Sequence, residues 1–279
     1  MRSRKQIFIL VLCCLSFTIM YAQSTVGIQG KLQYHRAFKG EGLKARDVVV
    51  WLPPGYDSSK ERYPVLYLQD GQNIFDPATS AFGKEWRADE TADSLIRAGK
   101  LRPVIIVGIY NTADRSDEYL PWKKNAVYQQ FIINTLKPFI DQQYRTRKEA
   151  KYNFIGGASA GATFAFMMVW EHPDVFSKAI CMSPAFKNPE GFKDPFNYIP
   201  EVKEGPRHPR KIFIYMDNGG KDLDQLLQPG VDEMIRALAS KKFRAGRDFI
   251  FLKDEPATHN EEAWASRLPF ALQRVIGTK

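Results

Sequence analysis

The stretch "IGGASAGAT" places one hydroxyl, Ser159, among Gly157, Ala158, Ala160, Gly161 and Ala162. This G-x-S-x-G pattern follows the apolar "YNFI" and precedes the helix-forming "AGATFAFMMVW". A strand that reverses sharply into a helix leaves room only for small neighbours, and it presents the serine at the tip of the bend. Serine is a weak nucleophile until a base takes its proton. Of His35, His172, His208 and His259, only His259 stands late in the chain, in "EPATHNEEAW" between a last buried strand and a last helix. The third member of a Ser…Asp/Glu…His order must lie between them. "YMDNGGKDLDQLL" offers Asp217, Asp222 and Asp224. Asp222 is the expected acid, because two glycines before it let the backbone bend toward the histidine. Asp224 is the reserve, since its place at a helix start also suits an N-cap, and Asp217 is nearest the strand. An oxyanion formed at Ser159 would need backbone N–H donors. Ala160 supplies one directly after the nucleophile, and the "LQDGQNIF" loop supplies the other at Gln72 or Asn73.

These groups meet only if the surrounding elements bring them to one edge. Apolar or alternating runs predict strands over 31–38, 45–52 and 64–69, with turn chemistry in "PPGYDSSKERYP". Strand–helix alternation follows. A helix is expected over 87–99, a buried strand in "RPVIIVGIY", a helix over 127–143, and a strand over 152–156. Helix 160–171, strands 176–182 and 211–216, helix 223–240, strand 248–253 and helix 261–276 complete the order. This pattern predicts an α/β fold with a mainly parallel central sheet flanked by helices. Ligands of such sheets sit at the carboxyl ends of the strands, where Ser159, the 217–222 loop and the 254–260 loop all fall.

The N-terminus reads differently from the rest. "MRSRKQ" is basic, "IFILVLCCLSFTIMYA" is apolar, and "QS" opens a polar chain. This is a secretory signal, expected to end at Ala22, with residues 23–279 forming one domain in the periplasm or outside the cell. Cys13 and Cys14 leave with the signal, so Cys181 stands alone and is read as a small buried hydrophobe. The net charge of +9 falls to +6 when Arg2, Arg4 and Lys5 are removed. Its basic groups are short and not interleaved with stacking aromatics, which argues for a solvated basic surface and against a nucleic-acid partner. No stable membrane insertion is expected after signal removal. The sequence has no H-E-x-x-H, no paired C-x-x-C and no Walker A loop, so no metal, nucleotide or other cofactor is expected.

With these residues in view, the chain resembles the esterase branch of the α/β-hydrolases, which holds enterochelin-type siderophore esterases, feruloyl and acetyl-xylan esterases, and mycolyltransferases. The matching stretches include "VWLPPGYD", "PVLYLQDGQNIFD", "PVIIVGIYN", "IGGASAGA" and "HNEEAWASRLPFAL". Together they span about residues 45 to 273. The resemblance implies the α/β-hydrolase fold, Ser159 as nucleophile, His259 as base and an acid in the 217–224 loop. It implies a serine carboxylesterase acting on a small-molecule or glycan ester, with acyl transfer as the related alternative. It also brings the loops bearing Trp86, Arg115 and Trp122 near the cleft as substrate-binding candidates, although Arg115 could instead pair with Asp117 or Glu118. The long segment 185–209 is expected to be a loop, whose Phe186, Phe192, Phe196 and Tyr198 line an acyl pocket or pack as a lid.

Overall fold

The computed structural model describes residues 29–189, 191, 195–206 and 212–278. The signal expected over 1–22, His208 and Phe192 lie outside the described residues. Eight strands form one sheet in the order β1-β2-β4-β3-β5-β6-β7-β8. They are β1 (Lys31–Phe38), β2 (Arg46–Leu52), β3 (Val65–Gln69), β4 (Ile105–Ile109), β5 (Asn153–Ala158), β6 (Lys178–Met182), β7 (Phe213–Gly219) and β8 (Phe249–Asp254). β1 and β2 pair antiparallel, as do β2 and β4. The remaining neighbours are parallel, so the carboxyl ends of β3 to β8 share one edge.

Both faces of the sheet are covered, which explains why its strands read as continuous apolar runs rather than alternating ones. The two-residue period still sorts the side chains. Val65 and Tyr67 of β3 and Ile105 and Val107 of β4 enter one core with the helices α3 (Asn125–Phe131), α4 (Lys137–Gln143), α5 (Ala160–Glu171) and α7 (Asp222–Ser240). Leu66, Leu68 and Ile106 enter the opposite core with α1 (Ala88–Arg97) and α8 (Glu261–Ile276). α5 is buried along nearly its whole length, from Ala160 to Val169. That is why its sequence is apolar on every side and shows no stripe. Cys181 is fully buried and free.

Three features depart from the sequence expectation. The helix anticipated over 127–143 is α3 and α4 joined through one wide π-type turn at Ile132–Leu136. Pro138 follows that turn; it lacks an N–H and would crowd a regular helix at the preceding carbonyls. A short helix α2 (Arg115–Tyr119) lies in the 111–122 loop. It is anchored by Glu118, which receives both terminal nitrogens of Arg46 at 2.7 and 2.8 Å with neither side chain exposed. The segment expected to be a loop over 185–209 contains the helix α6 (Ile199–Glu204). Phe186, Phe196 and Tyr198 are buried there, with Phe186 edge-on to Phe166 at 5.0 Å. These three rings therefore pack as a cover on the α5 core. Among the described residues, no helix is long and apolar enough to cross a membrane.

Candidate active site

Ser159 stands between the last residue of β5 and the first of α5 with φ 56° and ψ −127°. A non-glycine residue there carries strain that its surroundings must hold. They hold it through the backbone. The Ser159 N–H donates to Met182 O at the end of β6 (2.9 Å), and the Ser159 carbonyl accepts from Ala162 N and Thr163 N at 3.0 and 3.2 Å. A methyl added at Gly157 would lie 2.5 Å from the Gly161 carbonyl carbon. The small residues are thus clearance for the bend.

His259 lies in the loop after β8, with 13% of its side chain exposed. Its Nδ1 is 2.6 Å from Asp224 Oδ1. The carboxylate at the histidine is therefore Asp224, and the expectation of Asp222 is corrected. α7 begins at Asp222 itself, where the chain is solvent-exposed, and its inward face runs through Asp224, Leu227, Val231, Met234 and Leu238. Asp222 has left-handed backbone (φ 51°) at the helix start and is solvent-exposed, whereas Asp224 is fully buried. The capping role considered for Asp224 is also absent. Its Oδ2 instead accepts Gly219 N at 2.8 Å and Ser183 Oγ at 3.0 Å. Asp224 has no exposed surface. Burial alone would raise its pKa, but the hydrogen bonds and charge of His259, with those of Ser183 and Gly219, hold it below the usual carboxylate value.

A layer beneath this pair was not read from the sequence. Ser183 follows β6, donates to Asp224, and accepts Trp264 Nε1 at 3.0 Å and Arg267 Nη2 at 3.1 Å, both from α8. Asp217 sits here as well, fully buried and 3.1 Å from Arg267 Nε. Burial raises its pKa to about 6 against the pull of Arg267. Trp264 also meets the His259 ring edge-on, with centroids 5.1 Å apart. The helical spacing of Trp264 and Arg267 after "HNEE" is the only sequence signal for this layer.

The loop after β3 closes the other side. Asp70 adopts left-handed backbone (φ 58°, ψ 47°) and leads into one 3-10 turn, Gly71–Asn73. Its Oδ2 would lie 3.3 Å from a methyl placed on Gly161, which sets this loop against the elbow. Gln72 is half-buried in that turn, and its side-chain oxygen accepts Asn111 N at 3.2 Å. Ala160 opens α5, so its N–H belongs to the first turn, whose donors find no carbonyl within the helix. Asn73 Nδ2 donates to Glu261 Oε1 at 3.1 Å and joins this loop to the start of α8. Glu261 is buried, and desolvation with the charge of Asp70 raises its pKa.

Arg115 is paired with neither Asp117 nor Glu118. Its Nε and Nη2 clasp Asp70 at 2.7 and 2.8 Å, leaving 31% of the side chain exposed. Burial opposes its charge, but Asp70 at hydrogen-bond distance raises its pKa further. Trp122 is half-buried, edge-on to Phe196 at 6.1 Å. Trp86 is different. It is 1% exposed inside the α1–α8 core, with its ring 5.9 Å from Trp264, so the expectation that it touches substrate is corrected. In the polar run "GKEWRADE" this ring is the apolar anchor of α1, packed in one core with Ala88 and Ala92. His35 and His172 are committed elsewhere, to Tyr144 OH at 2.7 Å and Gln129 Oε1 at 2.6 Å.

A strained serine at a strand–helix bend and a carboxylate–imidazole pair on the same sheet edge define the α/β-hydrolase class. Residues 44–275 match the family described as Putative esterase, and the chain belongs to that family. It is similar to the endo-1,4-β-xylanase/feruloyl esterase of Xylanibacter ruminicola, 28% identical over 72% of this chain and 26% of that protein. It is also 23% identical to the uncharacterized protein YbbA of Bacillus subtilis, over 57% of this chain and 62% of YbbA. The chain thus spans less than two thirds of the length of these relatives. Among solved structures it resembles a ferulic acid esterase, with TM-score 0.70, 24% identity, and 89% and 98% of the two chains covered. The Shigella flexneri enterobactin esterase FES, solved in the presence of enterobactin, has TM-score 0.72 and 16% identity, covering 89% of this chain and 59% of that one. These structural likenesses establish the shared fold.

Proposed function

We propose that the protein is an exported serine carboxylesterase that works through an acyl-enzyme on Ser159. The observation that carries this reading is the 2.6 Å approach of His259 Nδ1 to the buried Asp224, on the same sheet edge as the strained Ser159. In this mechanism His259 Nε2 takes the Ser159 proton as Oγ attacks the ester carbonyl. The N–H groups of Ala160 and Gln72 receive the oxyanion. His259 then returns the proton to the leaving alcohol, and water, activated by the same imidazole, releases the acid. Asp224 fixes the tautomer with Nδ1–H toward itself and stabilises the imidazolium. Its depressed pKa suits that role, since it stays charged.

The substrate we propose is an ester bearing a phenolic ring, such as a feruloyl sugar. Among the relatives, one is a feruloyl esterase and another was solved with enterobactin. The partial exposure of Arg115, held by Asp70 in the loop after β3, and of Trp122 supports reading them as the contacts for a phenol or carboxylate and for an aromatic ring. Purified mature protein offered feruloyl esters, plain aryl acetates and a catecholate trilactone should cleave the phenolic esters fastest. Preference for the plain acetates would overturn the substrate assignment while leaving the serine chemistry intact. Export rests on the basic–apolar N-terminus, and mass analysis of the secreted protein should find a start near Gln23.

A further inference from the structure

Three carboxylates converge where the chain enters α1, outside the catalytic edge. Glu85, Asp89 and Glu90 each offer an oxygen within 4.8 Å of the others. Asp89 has no exposed surface. Its Oδ2 accepts the Gln29 N–H at 2.7 Å, but its Oδ1 has no hydrogen-bond partner. Glu85 Oε2 and Glu90 Oε2 are buried and unpartnered in the same way. One orphaned oxygen on each of three neighbouring carboxylates is unusual, because buried polar atoms are almost always satisfied and buried charges paired. The counter-charge in contact is Arg87, which reaches Glu90 Oε1 at 3.5 Å and is 67% exposed.

We propose that Glu85, Asp89 and Glu90 bind a divalent cation of the calcium class. The donors are all hard carboxylate oxygens, which select calcium, magnesium or manganese over zinc or copper. Oxygens bound to calcium at about 2.3–2.6 Å can stand up to about 5 Å apart across the ion, whereas magnesium at about 2.1 Å draws them closer. The three carboxylate oxygens all lie within 4.8 Å of one another, a span that an ion of calcium size bridges. Glu85 and Glu90 are only partly buried, which leaves the outer side of the ion open to water. Its effect is structural. The segment that carries these acids is tied to the loop after β3 by Trp86 N to Asn73 O at 2.9 Å and Ala88 N to Ile74 O at 3.1 Å. Between the acids lies Trp86, whose ring packs on Trp264, and Trp264 in turn borders His259. The ion braces this path from a distance.

The test uses mature protein stripped with EDTA, dialysed, and titrated with calcium chloride by calorimetry, with thermal melting in calcium and in EDTA. Expected are saturable binding near one ion per chain and a melting temperature several degrees higher in calcium, as ligand linkage requires. Glu90→Gln and Glu85→Gln should weaken calcium binding about tenfold or more and remove the shift. Asp89→Asn also disturbs the Gln29 contact, so the two glutamine variants decide the matter. Melting temperatures that coincide in calcium and EDTA, with no calcium heat, would overturn the proposal. So would a Glu90→Gln protein that binds calcium as tightly as the wild type.

Discussion

Asp224 Oδ1 lies 2.6 Å from His259 Nδ1, although 35 residues and the whole of β8 separate them in the chain. Asp222, two positions earlier, lies on the exposed side of the same helix. The two aspartates therefore separate by experiment. Asp224→Asn should lower kcat by about 10³- to 10⁴-fold, the scale seen when the carboxylate of a serine triad is made neutral. Asp222→Asn should change kcat less than about twofold. Steady-state kinetics on a feruloyl ester distinguishes them, and a large loss in Asp222→Asn would contradict the assignment.

Ser183 sets the orientation of Asp224 while also taking N–H groups from Trp264 and Arg267. Ser183→Ala removes the donor and leaves those two N–H groups without their acceptor. A hydrogen bond to a charged group contributes about 1.5–3 kcal/mol, so kcat should fall about tenfold to a hundredfold while KM changes little. The melting temperature should drop as well. A change confined to KM would mean that Ser183 contacts substrate and does not position the triad.

Gly219 is constrained by the same carboxylate. Its N–H donates to Asp224 Oδ2, and an added methyl would lie 2.5 Å from the Ala257 carbonyl oxygen while also meeting Asp224. Both obstacles are backbone or a fixed side chain, so the strand end must shift. Gly219→Ala should lose about 1–3 kcal/mol of stability and most of its activity. Denaturant melts with the esterase assay on the same preparation check this, and a variant of wild-type activity would show that the β7 end is looser than its packing implies.

How much of this site is legible in the sequence depends on the range of the forces that build it. Ser159 is legible because steric clearance is local: the bend needs small residues on both sides, and they stand next to it. His259 is legible from chain order. Asp224 is not, because Gly219 and Gly220 suggested a flexible loop reaching to Asp222. In the fold, Gly220 N and Lys221 N instead close on Ala257 O, and the helix has already begun at Asp222. The apolar period of Leu227, Val231, Met234 and Leu238, extended one turn backward, lands on Asp224. Arg115 pairs with Asp70 across 45 residues, and Ser183 gathers partners from β7, α7 and α8. Such links are set by the sheet order, which no local pattern encodes. The short helices α2 and α6 were missed for a related reason, since five or six residues hold helical form through tertiary anchors such as Glu118 and not through propensity.

The acid side of the pH profile follows from Asp224. Its pKa is depressed in the folded protein, so the stability it contributes is fully present above the unfolded carboxylate value of about 3.9. That contribution is lost as the pH falls through the lower folded value. Thermal melts of wild type and Asp224→Asn between pH 5 and 2.5, at roughly half-unit steps, should show the wild type losing more stability than the variant. Parallel curves would contradict the depressed pKa.

The central claim, that Ser159 is the acylated nucleophile, is tested most directly by labelling with a fluorophosphonate probe followed by peptide mass analysis. We expect one probe per chain on the Ser159 peptide, no label in Ser159→Ala, and ester hydrolysis lost in proportion. A Ser159→Ala protein that keeps full hydrolysis, or label found on another residue, would contradict it.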